Sequence, residues 1–284
     1  MRRPVASLLL PLATLLAVAA PAGRRVEAAP SSGSPWASLE PGLELGEFPA
    51  SQRSPAGDSI VRVLRIDPER FELRLLNASA PGEGELRTAR GWSERHGLVA
   101  AINASMYQTD YRRSVSLMQT REHVNNGHLS KDKAVLAFDR RDGGVPQVQI
   151  IDRECQDFAA VSRHYGTLVQ SIRMLSCDGK NVWKQQPRRW STAAIGVDRR
   201  GGVLFIHVRS PYSTHDLIEV LRGLPLDLRS AMYVEGGPEA QLYVAAGGRE
   251  HEFVGSFETG FHESDDRKVA LPVPNVVGVA RKRR

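Results

Sequence analysis

Apolar and polar positions alternate along much of this chain. Ser59 to Ile66 and Phe71 to Leu76 each alternate with a period of two, as half-buried strands do, and Asp67-Pro68-Glu69-Arg70 between them reads as a turn, so the pair predicts a hairpin. Leu98 to Ile102 is apolar throughout, the pattern of a strand covered on both faces. Val115–Gln119, Ala134–Phe138, Gln147–Ile151 and Leu168–Leu175 continue the series. Arg188–Asp198 and Gly202–Val208 form a second hairpin signal across Asp198-Arg199-Arg200-Gly201-Gly202. Thr88 to His96 predicts a short helix, with Thr88 as cap and Gly97 as stop. Ser213 to Arg222 predicts an amphipathic one, with Leu217, Ile218 and Leu221 on one face, Ser213 or Thr214 as cap and Gly223 as its end. Ala231–Val234, Gln241–Val244 and Val273–Ala280 close the chain as strands. Many strands with two or three helices predict an α+β fold on a mixed sheet, not a doubly wound nucleotide fold. No internal repeat interrupts the series.

The ends carry different signals. Residues 1–22 have the parts of a secretory leader: Arg2-Arg3, an apolar run from Val5 to Ala20 broken by Pro11, and small residues at Ala17-Val18-Ala19, with Val26-Glu27-Ala28 as a second cleavage candidate. The run is too short and too broken for a stable membrane span. Residues 23–58, rich in Pro, Gly, Ser and Ala, predict a flexible linker with one edge strand at Leu43–Phe48. Residues 59–280 are then the folded domain, and 281–284 a solvated basic tail. The expected destination is outside the cytoplasm, periplasmic or extracellular.

Charge adds little to this. Taking Arg2 and Arg3 from the formal +6 leaves +4, and there is no zinc-finger spacing or interleaved basic–aromatic pattern, so no nucleic-acid partner is expected. Two cysteines, Cys155 and Cys177, predict one disulfide in an exported chain. Closing a loop of that length contributes roughly 3 kcal/mol through the unfolded state. A catalytic thiol would need a partner that stabilises the thiolate, and His164 is the only histidine near in sequence.

The stretch with the most chemistry in it is Tyr233-Val234-Glu235-Gly236-Gly237-Pro238-Glu239, set between two apolar runs. A strand fixes the carboxylate, and glycines allow positive φ and close approach of a ligand. Leu98–Ile102 delivers Asn103, Ser105 and Tyr107 at its exit, a setting either for groups that orient a ligand or for a turn capped by Asn103. Arg173 is a candidate anion contact through its planar fork. His123 and His128 lie on a polar loop with Asn125 and Asn126 but without a clear third ligand; a metal-dependent hydrolase using His123, His128 or His207 is the third reading. No cofactor is called for, and the chain has no GxGxxG, Walker, GxSxG or HExxH motif.

The order of motifs is informative. Ala101-Ile102-Asn103, Gln170-Ser171, Thr192-Ala193-Ala194-Ile195-Gly196-Val197, Tyr233-Val234-Glu235-Gly236-Gly237 and Pro274-Asn275-Val276-Val277-Gly278-Val279 follow one another as in the phosphodiester glycosidase family, which the chain resembles over roughly Ile60 to Ala280. The resemblance implies an α+β scaffold that hydrolyses a sugar-1-phosphodiester, with a carbohydrate or sugar-phosphate as its partner. It implies Glu235 as acid or base, and substrate contacts from Asn103, Ser171, Arg173, Arg189, Thr192, Gly236, Gly237 and Asn275. The family has Asn-Leu-Asp-Gly-Gly-Gly-Ser where this chain has Tyr233-Val234-Glu235-Gly236-Gly237-Pro238-Glu239 with Met232 before it: the acid is one methylene longer, Pro238 lacks an N–H, and Glu239 adds negative charge. Arg188 or Arg189 stands in for the family's arginine ahead of the Thr-Ala-Ile-Gly motif. Asp110, Asp198 and Glu239 are the candidates for a second carboxylate. A non-catalytic carbohydrate-binding or envelope-assembly protein on the same scaffold, which kept the pocket and lost the phosphate chemistry, is the alternative reading.

Overall fold

The structure is a computed structural model and describes residues 34–282; the expected leader lies outside the described residues. In chain order the elements are β1 (Trp36–Glu40), β2 (Leu43–Pro49), β3 (Ile60–Ile66), β4 (Phe71–Asn77), α1 (Ala89–His96), β5 (Ala100–Asn103), β6 (Met118–Gln119), β7 (Val124–Asn126), β8 (Ala134–Arg140) and β9 (Gln149–Asp152). They continue with α2 (Phe158–Ser162), β10 (Tyr165–Arg173), β11 (Trp190–Asp198), β12 (Val203–Tyr212), α3 (Thr214–Gly223), β13 (Leu228–Gly236), β14 (Gln241–Ala246), β15 (Arg249–Val254) and β16 (Asn275–Arg281). A single 3-10 turn, Gly237–Glu239, joins β13 to β14.

The strands form two sheets. The larger runs β1-β2-β3-β12-β11-β13-β10-β6-β7, with β8 also paired to β10 and β9 to β8; the smaller runs β15-β14-β5-β16-β4. Strand alternation explains how they pack. On β13, Met232 and Val234 enter a core shared with Ile102 of β5, Leu242 of β14 and Val277 of β16 from the other sheet. The neighbours Ala231 and Tyr233 face away, into a second core capped by Leu217, Ile218 and Leu221 of α3. Likewise Ala101, Tyr243 and Val276 leave the shared core to meet Trp92 of α1. The order is helix, sheet, sheet, helix, which is why the central runs read as apolar on both faces.

Both long helices are capped as the sequence predicts. The Thr88 hydroxyl accepts from the Gly91 N–H, and Gly97 ends α1 in the left-handed region; the Ser213 hydroxyl accepts from the Asp216 N–H.

Several expectations need correcting. The protein is sheet-dominated, and each strand pair among the described residues is antiparallel, not mixed. Within the expected linker, the strand expected at Leu43–Phe48 forms as β2, with Leu43, Leu45 and Phe48 buried, but 36–40 forms a second strand paired to it. Val115–Gln119 shrinks to the two residues of β6. Arg281 belongs to β16 and pairs with Glu40 at 2.9 and 3.0 Å, and Lys282 donates to the Pro68 carbonyl, so neither is free tail. Cys155 and Cys177 form the expected disulfide, their Cα atoms 6.2 Å apart. Among the described residues no helix is long and apolar enough to cross a membrane.

Candidate functional site

Where β13 runs out, the pairing with β11 slips: Ala194 faces Tyr233 but Ala193 faces Glu235, leaving Val234 as one extra residue. A bulge of this kind re-aims the side chain that follows it, and here that side chain is Glu235. Glu235 opens on a cleft of about 440 Å³ walled by Tyr107, Trp190, Tyr233, Glu239, Glu258 and Arg188, with Met106, Val115 and Gly236 filling the gaps. The walls come from four places: the loop after β5, the entry to β11, the exit of β13 and the loop after β15.

Two glycines make this fit possible. A Cβ on Gly236 would sit 2.1 Å from the Tyr233 hydroxyl and 2.8 Å from Trp190 Cδ1, so only hydrogen there lets the two rings converge. Gly237 has φ +67°, and a Cβ on it would lie 2.6 Å from Glu258 Oε2. Both the turn and the position of Glu258 depend on its lack of a side chain.

The cleft's electrostatics follow from burial. Loss of water lifts the Glu235 pKa to about 8; the charges of Glu239 and Glu258 add to this, and the Gly236 N–H, donating to Glu235 Oε1 at 3.0 Å, opposes it. Burial also raises the pKa of Glu239, with Glu258 adding and Arg267 opposing. The Tyr107 and Tyr233 hydroxyls are pushed up by burial and then by these carboxylates. Glu235 is therefore a neutral acid at pH 7, beside two further carboxyl groups. A proton donor beside further carboxyl groups is the arrangement that general acid–base chemistry requires.

The other sequence candidates are distributed around this cleft, and most support its walls. Asn103 is buried: its Nδ2 donates to the Glu239 carbonyl at 2.9 Å and its Oδ1 accepts from the Gln241 N–H at 2.8 Å. Ser171 is buried and donates to the Tyr233 carbonyl. Thr192 lies opposite Gly236 across the strand pair, buried, with no partner for its hydroxyl. Asn275 is buried in the smaller sheet, accepting from Asn77 Nδ2 at 2.8 Å, away from the cleft. Arg173 is a correction: its Nη1 is bound to both Asp152 oxygens at 3.0 Å and it lines a separate groove with Trp183 and Lys184, not the cleft. Arg189 is a second one: its backbone ties to Thr259, and it is Arg188 that reaches the wall, 3.7 Å from Glu258.

The carboxylate candidates also sort themselves. Glu239 is in the cleft. Asp198 is buried in its hairpin turn, accepting from the Arg200 and Gly202 N–H groups, and Asp110 is bound to Arg113 and held at about 2 by that contact. Glu258 was missed: Phe257-Glu258-Thr259-Gly260 has no strand or helix period, and only the Gly-containing turn hinted at a built loop. The histidines do not come together as ligands. His123 meets the Ser79 hydroxyl at 2.8 Å; His207, kept neutral by complete burial with a pKa near about 3, meets the Ala240 carbonyl at 3.3 Å. Among the described residues the one grouping with metal-ligand spacing is Asp152, Cys155 and Cys177, whose sulfurs are consumed by the disulfide.

Fold and cleft together define a two-sheet protein whose site is built of carboxylic acids and aromatic rings at a glycine-rich strand exit. The chain belongs to the phosphodiester glycosidase family, which matches residues 96–280. Among solved structures it is similar to the zebrafish N-acetylglucosamine-1-phosphodiester alpha-N-acetylglucosaminidase catalytic domain auto-inhibited by its pro-peptide, with 13% identity and a TM-score of 0.62 over 87% of this chain and 86% of that one. It is also similar to a hypothetical protein from Synechocystis, with 13% identity and a TM-score of 0.55 over 89% of this chain and 65% of that one. At such identities the likeness is one of fold. No curated protein matches the chain.

Proposed function

We propose that this protein is an exported hydrolase that cleaves a glycosidic or sugar-1-phosphodiester bond in envelope or extracellular polysaccharide. The observation that carries the reading is Glu235, a carboxyl held neutral to about pH 8 at the floor of an aromatic-walled cleft. Glu235 protonates the leaving oxygen as the bond to the anomeric carbon breaks, and a carboxylate across the cleft, Glu239 or Glu258, activates water or attacks the sugar itself. Trp190 offers a face for the sugar ring with Tyr233 packed edge-on against it, the missing side chains of Gly236 and Gly237 let those rings and Glu258 close in around the site, and Arg188 is the cation in the cleft wall that would meet a leaving phosphate. N-acetylglucosamine is the first sugar to try, since the zebrafish enzyme is named for it. The disulfide fits a protein folded outside the cytoplasm, with residues 1–22 as its export signal.

The test is turnover of a panel of chromogenic glycosides and sugar-1-phosphodiesters by the mature protein. Loss of the proton donor in Glu235→Gln should cost about 10²–10⁴-fold on substrates with poor leaving groups. Full turnover in that variant would sink the assignment.

A second reading has its own observation. Three carboxyl groups face one exposed arginine, and Pro238 removes an N–H where the family pattern has glycine, so the cleft is poorly furnished for an anion. On that reading the protein holds a glycan without cutting it. Glycan affinity unchanged in Glu235→Gln, with no turnover of any panel member, would establish it.

A further inference from the structure

Beside the catalytic cleft lies a second, shallower groove of about 350 Å³, walled by Tyr107, Gln108, Tyr111, Glu239, Glu258 and Phe261. It shares Tyr107, Glu239 and Glu258 with the cleft, so the two are one continuous depression. Its outer walls are unusual for a water-facing surface. Of the six large apolar side chains exposed among the described residues, two are aromatic, Tyr111 at 59% and Phe261 at 72%, and both stand on this groove.

Neither ring is there by looseness of its loop. Tyr111 has φ +54°, a conformation that costs a non-glycine residue energy. It is held by a closed turn: the Tyr111 N–H donates to the Gln108 carbonyl at 2.9 Å, the Gln108 N–H to the Arg113 carbonyl at 2.7 Å, and Asp110 accepts from the Arg112 and Arg113 N–H groups. The Tyr111 ring leans on Tyr107 with centroids 5.7 Å apart. Phe261 stands at the tip of a tight hairpin in which the Glu258 carbonyl accepts from the Phe261 and His262 N–H groups, and Gly260 turns with φ +82°. Two hydrogen-bonded loops, one of them strained at Tyr111, thus present one ring each on a groove that Glu239 and Glu258 also line.

Aromatic rings this exposed match the C–H face of a pyranose, which is apolar on its faces and polar at its edge. Carboxylate and amide groups between the rings, Glu239, Glu258 and Gln108, match that polar edge. We infer that this groove is a second sugar subsite, taking the pyranose next to the scissile bond in the same glycan chain, so that the substrate is an oligosaccharide or polymer and not a lone sugar on a small leaving group. The inference rests on the proposed hydrolase reading for the placing of the scissile bond; the sugar-binding claim itself does not need turnover.

The experiment measures affinity of the full-length mature Glu235→Gln protein for N-acetylglucosamine oligomers of increasing length. Affinity should rise on the order of tenfold from monomer to dimer or trimer, a gain of ordinary size for one added contact surface. Tyr111→Asn, which keeps a residue tolerant of the left-handed backbone and removes the ring, combined with Phe261→Ala, should abolish the gain and leave monomer affinity in place; Tyr111→Phe should retain it. Absence of any gain with length, or a gain that survives loss of both rings, overturns the subsite. Length-dependent, ring-dependent binding with no turnover by the unsubstituted protein would leave the subsite standing and remove the hydrolase.

Discussion

Asn103 holds the backbone of Glu239. Its amide nitrogen donates to the Glu239 carbonyl at 2.9 Å and its oxygen accepts from the Gln241 N–H at 2.8 Å, bridging the end of β5 to the turn that carries Glu239. A strand exit in the smaller sheet thereby sets the geometry of a site built mainly on the larger one. Asn103→Ala leaves a buried carbonyl and N–H without this partner, at a cost of about 2–3 kcal/mol. Denaturant unfolding should show that loss, and activity should fall with it even though Asn103 does not line the cleft. Unchanged stability would mean that water replaces the amide.

Glu235 ties stability to pH with a sign opposite to that of a salt-bridged acid. Its pKa rises from 4.5 in the unfolded chain to about 8 in the fold, so between these values the folded state keeps a proton that the unfolded state has lost. Stability is unpenalised below pH 4.5, falls as pH rises toward 8, and levels off above it. Glu235→Gln removes this dependence and should stabilise the protein by on the order of 5 kcal/mol at pH 9 relative to its effect at pH 4. Unfolding midpoints across that range check it. The alkaline limb of activity should sit near 8 and track the same group.

Gly237→Ala tests the turn. The left-handed backbone and the 2.6 Å approach to Glu258 Oε2 together should cost about 1–3 kcal/mol and displace that carboxylate. The variant should lose activity more than stability, and a kcat loss with the fold intact by circular dichroism is the expected pair of readings.

Most strands were legible because period-two alternation and short apolar runs report burial directly, as in Phe71–Asn77 and Val203–Tyr212. The helix caps at Thr88 and Ser213 were legible because they need only local hydrogen bonds. The direction of strand pairing was not, since alternation says nothing of which strand lies alongside. β2 was legible from the alternation at Leu43–Phe48, but β1 hid in a Pro/Ser/Gly-rich stretch where Leu39 is the one buried apolar residue of the strand. Glu235 stood out from its glycine-rich setting. Glu258, Tyr111 and Phe261 did not, because each is placed by turn geometry that only the closed fold reveals. Arg173 misled for a similar reason: an arginine's partner is set by tertiary contact, and here Asp152 claims it.

The two neighbouring acids should act on Glu235 in the same direction and in a definite order. Each holds negative charge near a carboxyl already short of water, and each raises its pKa, Glu239 more than Glu258. Replacing either by glutamine removes a charge that opposes ionisation, so the Glu235 pKa must fall from about 8. Glu258→Gln should lower it and Glu239→Gln should lower it more, while burial, the dominant cause, keeps it above the ordinary carboxylate range in both. Titrating carbon-labelled glutamate carboxyls by NMR reads this without depending on turnover, which either variant can destroy if it removes the second catalytic carboxylate. A Glu235 pKa that rises in either variant, or the reverse order, would mean that hydrogen bonding through the cleft, and not repulsion across it, keeps Glu235 protonated.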